Sequence, residues 1–124
     1  MNSTVSLIEM KTMEADKYLR SAATILTDRG LSRHMNCDPE TGEVDVEGAL
    51  MLACGAKKVG VLVPYPAEVV PPTQLAVYLS MIDLLDLNVP EDNITKWTDK
   101  WEVSQDEVIQ LLNSLADTIS IAIV

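Results

Sequence analysis

The chain has no phenylalanine and a single histidine, and its three tyrosines and two tryptophans are all its aromatic residues. Each shortage excludes something. With His34 alone there is little scope for acid–base catalysis built on imidazole. The two cysteines, Cys37 and Cys54, form neither a C-x-x-C pair nor any paired metal-ligand spacing, so no redox couple and no zinc ribbon is expected. Bases are scarce as well: 9 Lys and Arg stand against 19 Asp and Glu, for a net charge of −10. That balance argues against a binder of nucleic-acid backbone, whose affinity comes from neutralising phosphates, and against docking on an anionic membrane. No apolar run approaches the roughly 20 residues of a membrane span. No basic stretch followed by an apolar one opens the chain, so the cytoplasm is the expected compartment and its thiols are expected to be reduced. Neither a G-x-S-x-G elbow nor a glycine-rich phosphate loop occurs.

What is present fits one helical unit. A chain of 124 residues with 48% apolar content can bury its own core, so residues 1–124 read as a single domain packed by Leu, Ile, Val, Met and Ala. Residues 1–11 carry weak periodicity and read as a loosely ordered N-terminal tail. A first helix is expected from Thr12 as N-cap, with Ala15, Tyr18, Leu19, Ala22, Ala23 and Leu26 on one face and Gly30 as its stop. The turn Asp38-Pro39-Glu40-Thr41-Gly42 suggests a small β-hairpin near residues 35–45. Asp45 caps a second helix that ends at Gly55 and is apolar nearly all round. Residues 56–72, with Pro64, Pro66, Pro71 and Pro72, read as a proline-rich loop over the core. A third helix follows over Thr73–Leu87, with Leu75, Tyr78, Leu79, Ile82 and Leu85 on its main face and Val77, Met81 and Leu84 as a second apolar stripe. A polar connection, with a helical turn at Glu91–Trp97, leads to the last helix. Ser104 with Glu107 forms its capping box, and Val103 with Val108 its hydrophobic staple. The apolar tail from Ile119 onward is expected to dock. The fold class is therefore mainly α, a compact orthogonal four-helix domain.

Three constellations carry potential chemistry. His34 and Cys37, with Asp38 beside them, are the one soft-ligand cluster, too few for zinc, which takes four ligands or three and a water. The acids Asp38, Glu40, Glu43, Asp45 and Glu47 invite a calcium reading. Gly42, however, follows Asp38 too early for the EF-hand register, and a solvated acidic turn is the better account. Neither metal nor cofactor is therefore expected. Trp97 and Trp101 would share one face of a helical turn. The favoured reading packs both onto the core, and the sharper one leaves one exposed as a partner anchor.

Several short motifs resemble those of a family. Gly30-Leu31 resembles a Gly-Trp that closes the opening helix, Asp45-Val46-Glu47-Gly48-Ala49 a Cys-x-x-Gly-Ala helix start, and Trp97-Thr98-Asp99 a Trp-Asn-Asp before a final Ser- or Thr-capped helix. Together they resemble a family of small uncharacterised proteins of actinobacteria and their bacteriophages, mycobacteriophages especially, over about residues 15–118. Asp45 stands where that family tends to have Cys, and Leu31 where it has Trp. The resemblance implies a setting and no activity.

With no catalytic motif in view, an enzyme is not the favoured class. The first reading is a small acidic phage-type accessory protein that binds a host protein, with Trp97, Trp101, Asp38, Glu40 and Glu43 as partner-contact candidates. The second is an acidic nucleic-acid mimic that blocks a DNA-binding host or defence protein. The third is a ligand-sequestering protein or small enzyme of unknown substrate. Self-association through the third helix or the tail is a separate expectation.

Overall fold

The computed structural model describes residues 6–122. It holds six α-helices: α1 Leu7–Thr12, α2 Ala15–Arg29, α3 Val46–Ala53, α4 Pro72–Leu87, α5 Ile94–Thr98 and α6 Gln105–Ser120. The four expected helices are α2, α3, α4 and α6. A 3₁₀ turn, Pro66–Glu68, interrupts the irregular stretch before α4. Among the described residues, no helix is long and apolar enough to cross a membrane.

The frame is α2 laid against α6 and α3. The heptad-like line of α2 supplies Ala15, Leu19, Ala22, Ala23 and Leu26, all buried, and α6 answers with Val108, Leu112, Leu115, Ala116 and Ile119. Both helices have a polar outer face, so burying the apolar one orients them without ambiguity. Fully burying one Val, Leu, Ile or Met side chain contributes about 1.5–3 kcal/mol, and nine such side chains from α2, α3 and α6 are buried here. Ser104 caps α6 by accepting the Glu107 N–H at 3.1 Å, and Val103 and Val108 on either side of it are both buried.

Three expectations need correcting. Residues 6–11 are not a loose tail: Ser6 caps α1 and the rest lie within it, while residues 1–5 lie outside the described residues. A full capping box starts α1, the Glu9 N–H donating to Ser6 Oγ at 3.1 Å and the Ser6 N–H to Glu9 Oε1 at 3.3 Å, and Met10 anchors it in the core. Thr12 is not the cap of α2. Its hydroxyl donates back to Ile8 O, and the chain breaks at Glu14, which takes a left-handed conformation with φ 63°. The hairpin shrinks to two isolated bridges, Leu31 to Val44 and Cys37 to Val44, because the Asp38–Gly42 turn closes at once and the chain then enters α3.

Helix α4 is rotated from the expected facing. It buries Val77, Tyr78, Met81 and Leu85, while Leu79 and Leu87 are exposed. With apolar residues on every side, its periodicity carries no direction, and contact with α2, α3 and α5 decides it. Of the apolar C-terminal tail, Ile119 is buried, Ile121 is exposed, and the Ala122 carbonyl accepts from Lys11 Nζ at 2.8 Å. Ile123 and Val124 lie outside the described residues.

Candidate functional site

Two loops meet beside the start of α3. The first, residues 30–45, leaves α2 at Gly30, whose φ of 89° suits a residue without Cβ. It is pinned by the Ser32 N–H to Val44 O at 2.9 Å, the Asp38 N–H to Glu43 O at 2.8 Å and the Gly42 N–H to Asp38 O at 2.8 Å. The second, residues 98–104, joins α5 to α6. Arg33 ties the two together. Its Nη1 donates to the carbonyls of Thr98 and Lys100, and its Nη2 donates to Val103 O at 2.6 Å. A planar guanidinium can serve three carbonyls at once, which an ammonium could not do with the same geometry.

The buried base of this junction is polar. Asn36 Nδ2 donates to both carboxylate oxygens of Asp45, at 3.2 and 3.1 Å, and Asn36 Oδ1 accepts the Val63 N–H at 2.7 Å. Asp45 Oδ1 also accepts the Gly48 N–H at 2.7 Å, which makes it the N-cap of α3. Burial raises the Asp45 carboxyl to about 6, outweighing the Gly48 and Asn36 hydrogen bonds that pull it down; Glu47 and Asp99 add to the rise. Gly48 has a steric task. A Cβ there would sit 2.1 Å from the Asn36 carbonyl oxygen, so only glycine lets the loop lie on the helix. The glycine of the helix-start motif is thus explained by packing.

Above this base opens a shallow cleft of about 370 Å³, lined by Ser32, Arg33, His34, Asp38, Glu43 and Trp101 among others. Trp101 is 83% exposed, and the Arg33 guanidinium lies 5.3 Å from its ring centroid. Because Arg33 is already held by three carbonyls, this cation–π contact places the indole rather than merely touching it. Three of the expected partner-contact residues, Trp101, Asp38 and Glu43, therefore share one cleft. Glu40 is exposed on the adjoining turn, where its N–H donates to Asp38 Oδ1.

Trp97 is elsewhere. It lies in α5, half-buried against the core, whereas Trp101 falls beyond the end of that helix. The expectation that both tryptophans pack inward is thus half wrong: α5 stops at Thr98, and the Arg33 clamp carries Trp101 outward. No signal within the Trp97–Trp101 stretch could have supplied this, since Arg33 is distant in sequence.

Among the described residues the cleft holds only part of a catalytic constellation. His34, at φ 69°, pairs through Nδ1 with Asp99 Oδ2 at 3.3 Å, which gives a base and its orienting carboxylate. Ser32 lines the same cleft, but its hydroxyl is buried and makes no hydrogen bond among the described residues, so the imidazole engages no nucleophile there. The H-x-x-C pair is split: His34 faces Asp99, while Cys37 Sγ lies 3.6 Å from Arg29 Nη2. Among the described residues, no group of three or more His, Cys, Asp or Glu side chains gathers to hold a metal. Cys54 is buried beside the core, which pushes its thiol up to about 12 and leaves it unreactive.

The cleft is negative on balance, because the carboxylates Asp38 and Glu43 outnumber its one guanidinium, Arg33, and make no ion pair among the described residues. An aromatic face beside two carboxylates suits a cationic side chain.

Comparison with known proteins agrees with the uncharacterised family setting. A family of unknown function, DUF6197, matches residues 10–118. No curated protein and no solved structure gives a match. The match covers most of the chain, and the protein belongs to this family.

Proposed function

We propose that this member of the DUF6197 family is a small accessory protein that acts by protein–protein contact. The setting is that of actinobacteria and their bacteriophages, which its motifs resemble, and the place of action is the host cytoplasm. One observation carries the reading: an exposed tryptophan, held in place by an arginine that is itself clamped, beside two carboxylates that make no ion pair among the described residues. Exposed, pre-positioned tryptophans are the side chains that most often dominate binding energy at interfaces. The partner is a host protein that presents a Lys or Arg to Asp38 and Glu43 while an apolar pocket receives Trp101.

The test is retention of a stoichiometric partner from mycobacterial lysate by wild type and by Trp101→Ala. Loss of this anchor is expected to cost about 2 kcal/mol or more, some thirtyfold in affinity. The same substitution should change unfolding stability by no more than about 1 kcal/mol, the size of one exposed cation–π contact. A partner held undiminished by Trp101→Ala sinks the proposal. A second reading, a nucleic-acid mimic, draws on Asp38, Glu40 and Glu43 standing together on one turn. It predicts a partner that is lost between about 50 and 200 mM salt, and Asp38→Asn with Glu43→Gln would then matter more than Trp101.

A further inference from the structure

In a chain of net charge −10 the positions of the few cations are informative. Lys17, Arg20, Lys96 and Lys100 are each paired with a carboxylate. Lys11 and Arg33 are occupied by backbone carbonyls. The other three, Arg29, Lys57 and Lys58, all line one cleft on the far side of the Asp38–Gly42 turn, of about 430 Å³. Among the described residues no Asp or Glu lines it; its walls include Leu52, Val59 and Val61. We infer that this cleft binds a small organic anion carrying a phosphate group.

Arg29 is pre-positioned there. Its Nε donates to Gly42 O at 2.8 Å and its Nη2 reaches Cys37 Sγ, while Nη1 makes no hydrogen bond among the described residues. The lysines are not explained by their helix. They follow the C-terminus of α3, where a cation would help unsatisfied carbonyls, but the Ala56 N–H already donates to Met51 O and the Gly55 N–H to Leu52 O. Three like charges held at one opening repel each other, and a multiply charged anion relieves that repulsion. A positioned guanidinium with Nη1 free among the described residues and two exposed ammoniums supply more donors than the two oxygens of a carboxylate can use, and match the several oxygens of a phosphate better. The apolar wall takes the organic part, and the size lies in the range of small-molecule sites. A nucleic-acid backbone or an anionic bilayer is disfavoured, because the acidic remainder of the surface would repel it. This site is separate from the Trp101 cleft and stands or falls without it.

The probe is phenyl phosphate, compared with inorganic phosphate and with neutral benzyl alcohol, titrated into isotope-labelled full-length protein. Phenyl phosphate is expected to bind tightest of the three, with amide shifts confined to Arg29, Cys37 and residues 57–61. It should also slow alkylation of Cys37, the more accessible of the two thiols. The double substitution Lys57→Gln, Lys58→Gln should weaken binding by about tenfold or more. Because both lysines are exposed and their removal can only relieve repulsion at the opening, the unliganded melting temperature should not fall, which separates lost binding from lost folding. Absence of shifts at millimolar phenyl phosphate, equal binding of benzyl alcohol, or unchanged affinity in the double variant would overturn the inference. So would sedimentation of the protein with phosphatidic acid vesicles, which would assign the phosphate to a lipid headgroup.

Discussion

The helical frame and the loop face beside α3 are held together by different physics. In the frame, α2 and α6 bury aliphatic side chains whose contributions are small, numerous and interchangeable. On the loop face, Ser32, Asn36, Asp45 and Thr98 are buried polar residues, and order depends on a handful of directed contacts that have no substitutes. The contrast teaches where the molecule tolerates change. A frame built on area degrades gradually, whereas a face built on hydrogen bonds fails at single positions. The surface proposed to meet a partner lies on the second kind of structure.

The sharpest way to break the loop face is Gly48→Ala. The new methyl would meet the Asn36 carbonyl, a backbone atom that cannot rotate away, so loop and helix must part. A loss of about 4 kcal/mol in urea unfolding is expected, in the range reserved for severe core or backbone faults. A loss under about 1 kcal/mol would mean that the loop does not press on α3 as described.

The next effect is a pH dependence that α2 and α6, with no buried carboxylate among their described residues, should not share. Unfolded, Asp45 gives up its proton in the ordinary carboxylate range; folded, near 6. Between about pH 4 and 6 the folded chain therefore keeps a proton that the unfolded chain has lost, and stability falls by about 3 kcal/mol as pH rises. Below pH 4 this contribution is fully present; above 6 it is gone. Asp45→Asn should flatten that part of the stability–pH curve while keeping the cap, since asparagine is an equally good N-cap. An unchanged slope in the variant would assign the dependence to another group.

The smallest of the three effects sharpens the comparison rather than breaking it. Arg33→Met keeps much of the side-chain volume and removes the fork that holds Thr98, Lys100 and Val103. It should cost about 2 kcal/mol, the scale of lost charge-assisted hydrogen bonds. Amide exchange should accelerate across residues 98–103 while α2 and α6 keep their protection, and Trp101 fluorescence should report a freer indole. Uniform loss of protection would show that the clamp supports the frame as well.

Much of the frame was legible in sequence because its signals are local. The 3.6-residue spacing in α2 and α6, Gly30 as a stop, Asp45 as a cap and Ser104 with Glu107 all act within one or two turns. The Ser6–Glu9 capping box of α1 is an equally local signal, but a helix of 6 residues is too short to add periodicity to it. The facing of α4 was not readable, since a helix apolar on all sides offers no preferred face. At the candidate site, the acidic turn and the tryptophan pair stood out as residue types. Their separation into a half-buried Trp97 and an exposed Trp101 depends on Arg33, whose partners lie far along the chain.

By itself the sequence determined the helical class, the ends of most helices, the aliphatic core and the acidity, because propensity, capping and composition are properties of short segments. Only the tertiary structure decided that Asp38 and Glu43 share a cleft with Trp101, that Arg29 stands with Lys57 and Lys58, and that Gly48 supports a carbonyl of the preceding loop. Those are meetings of distant residues, set by how the loops close over the frame, and no local pattern encodes them.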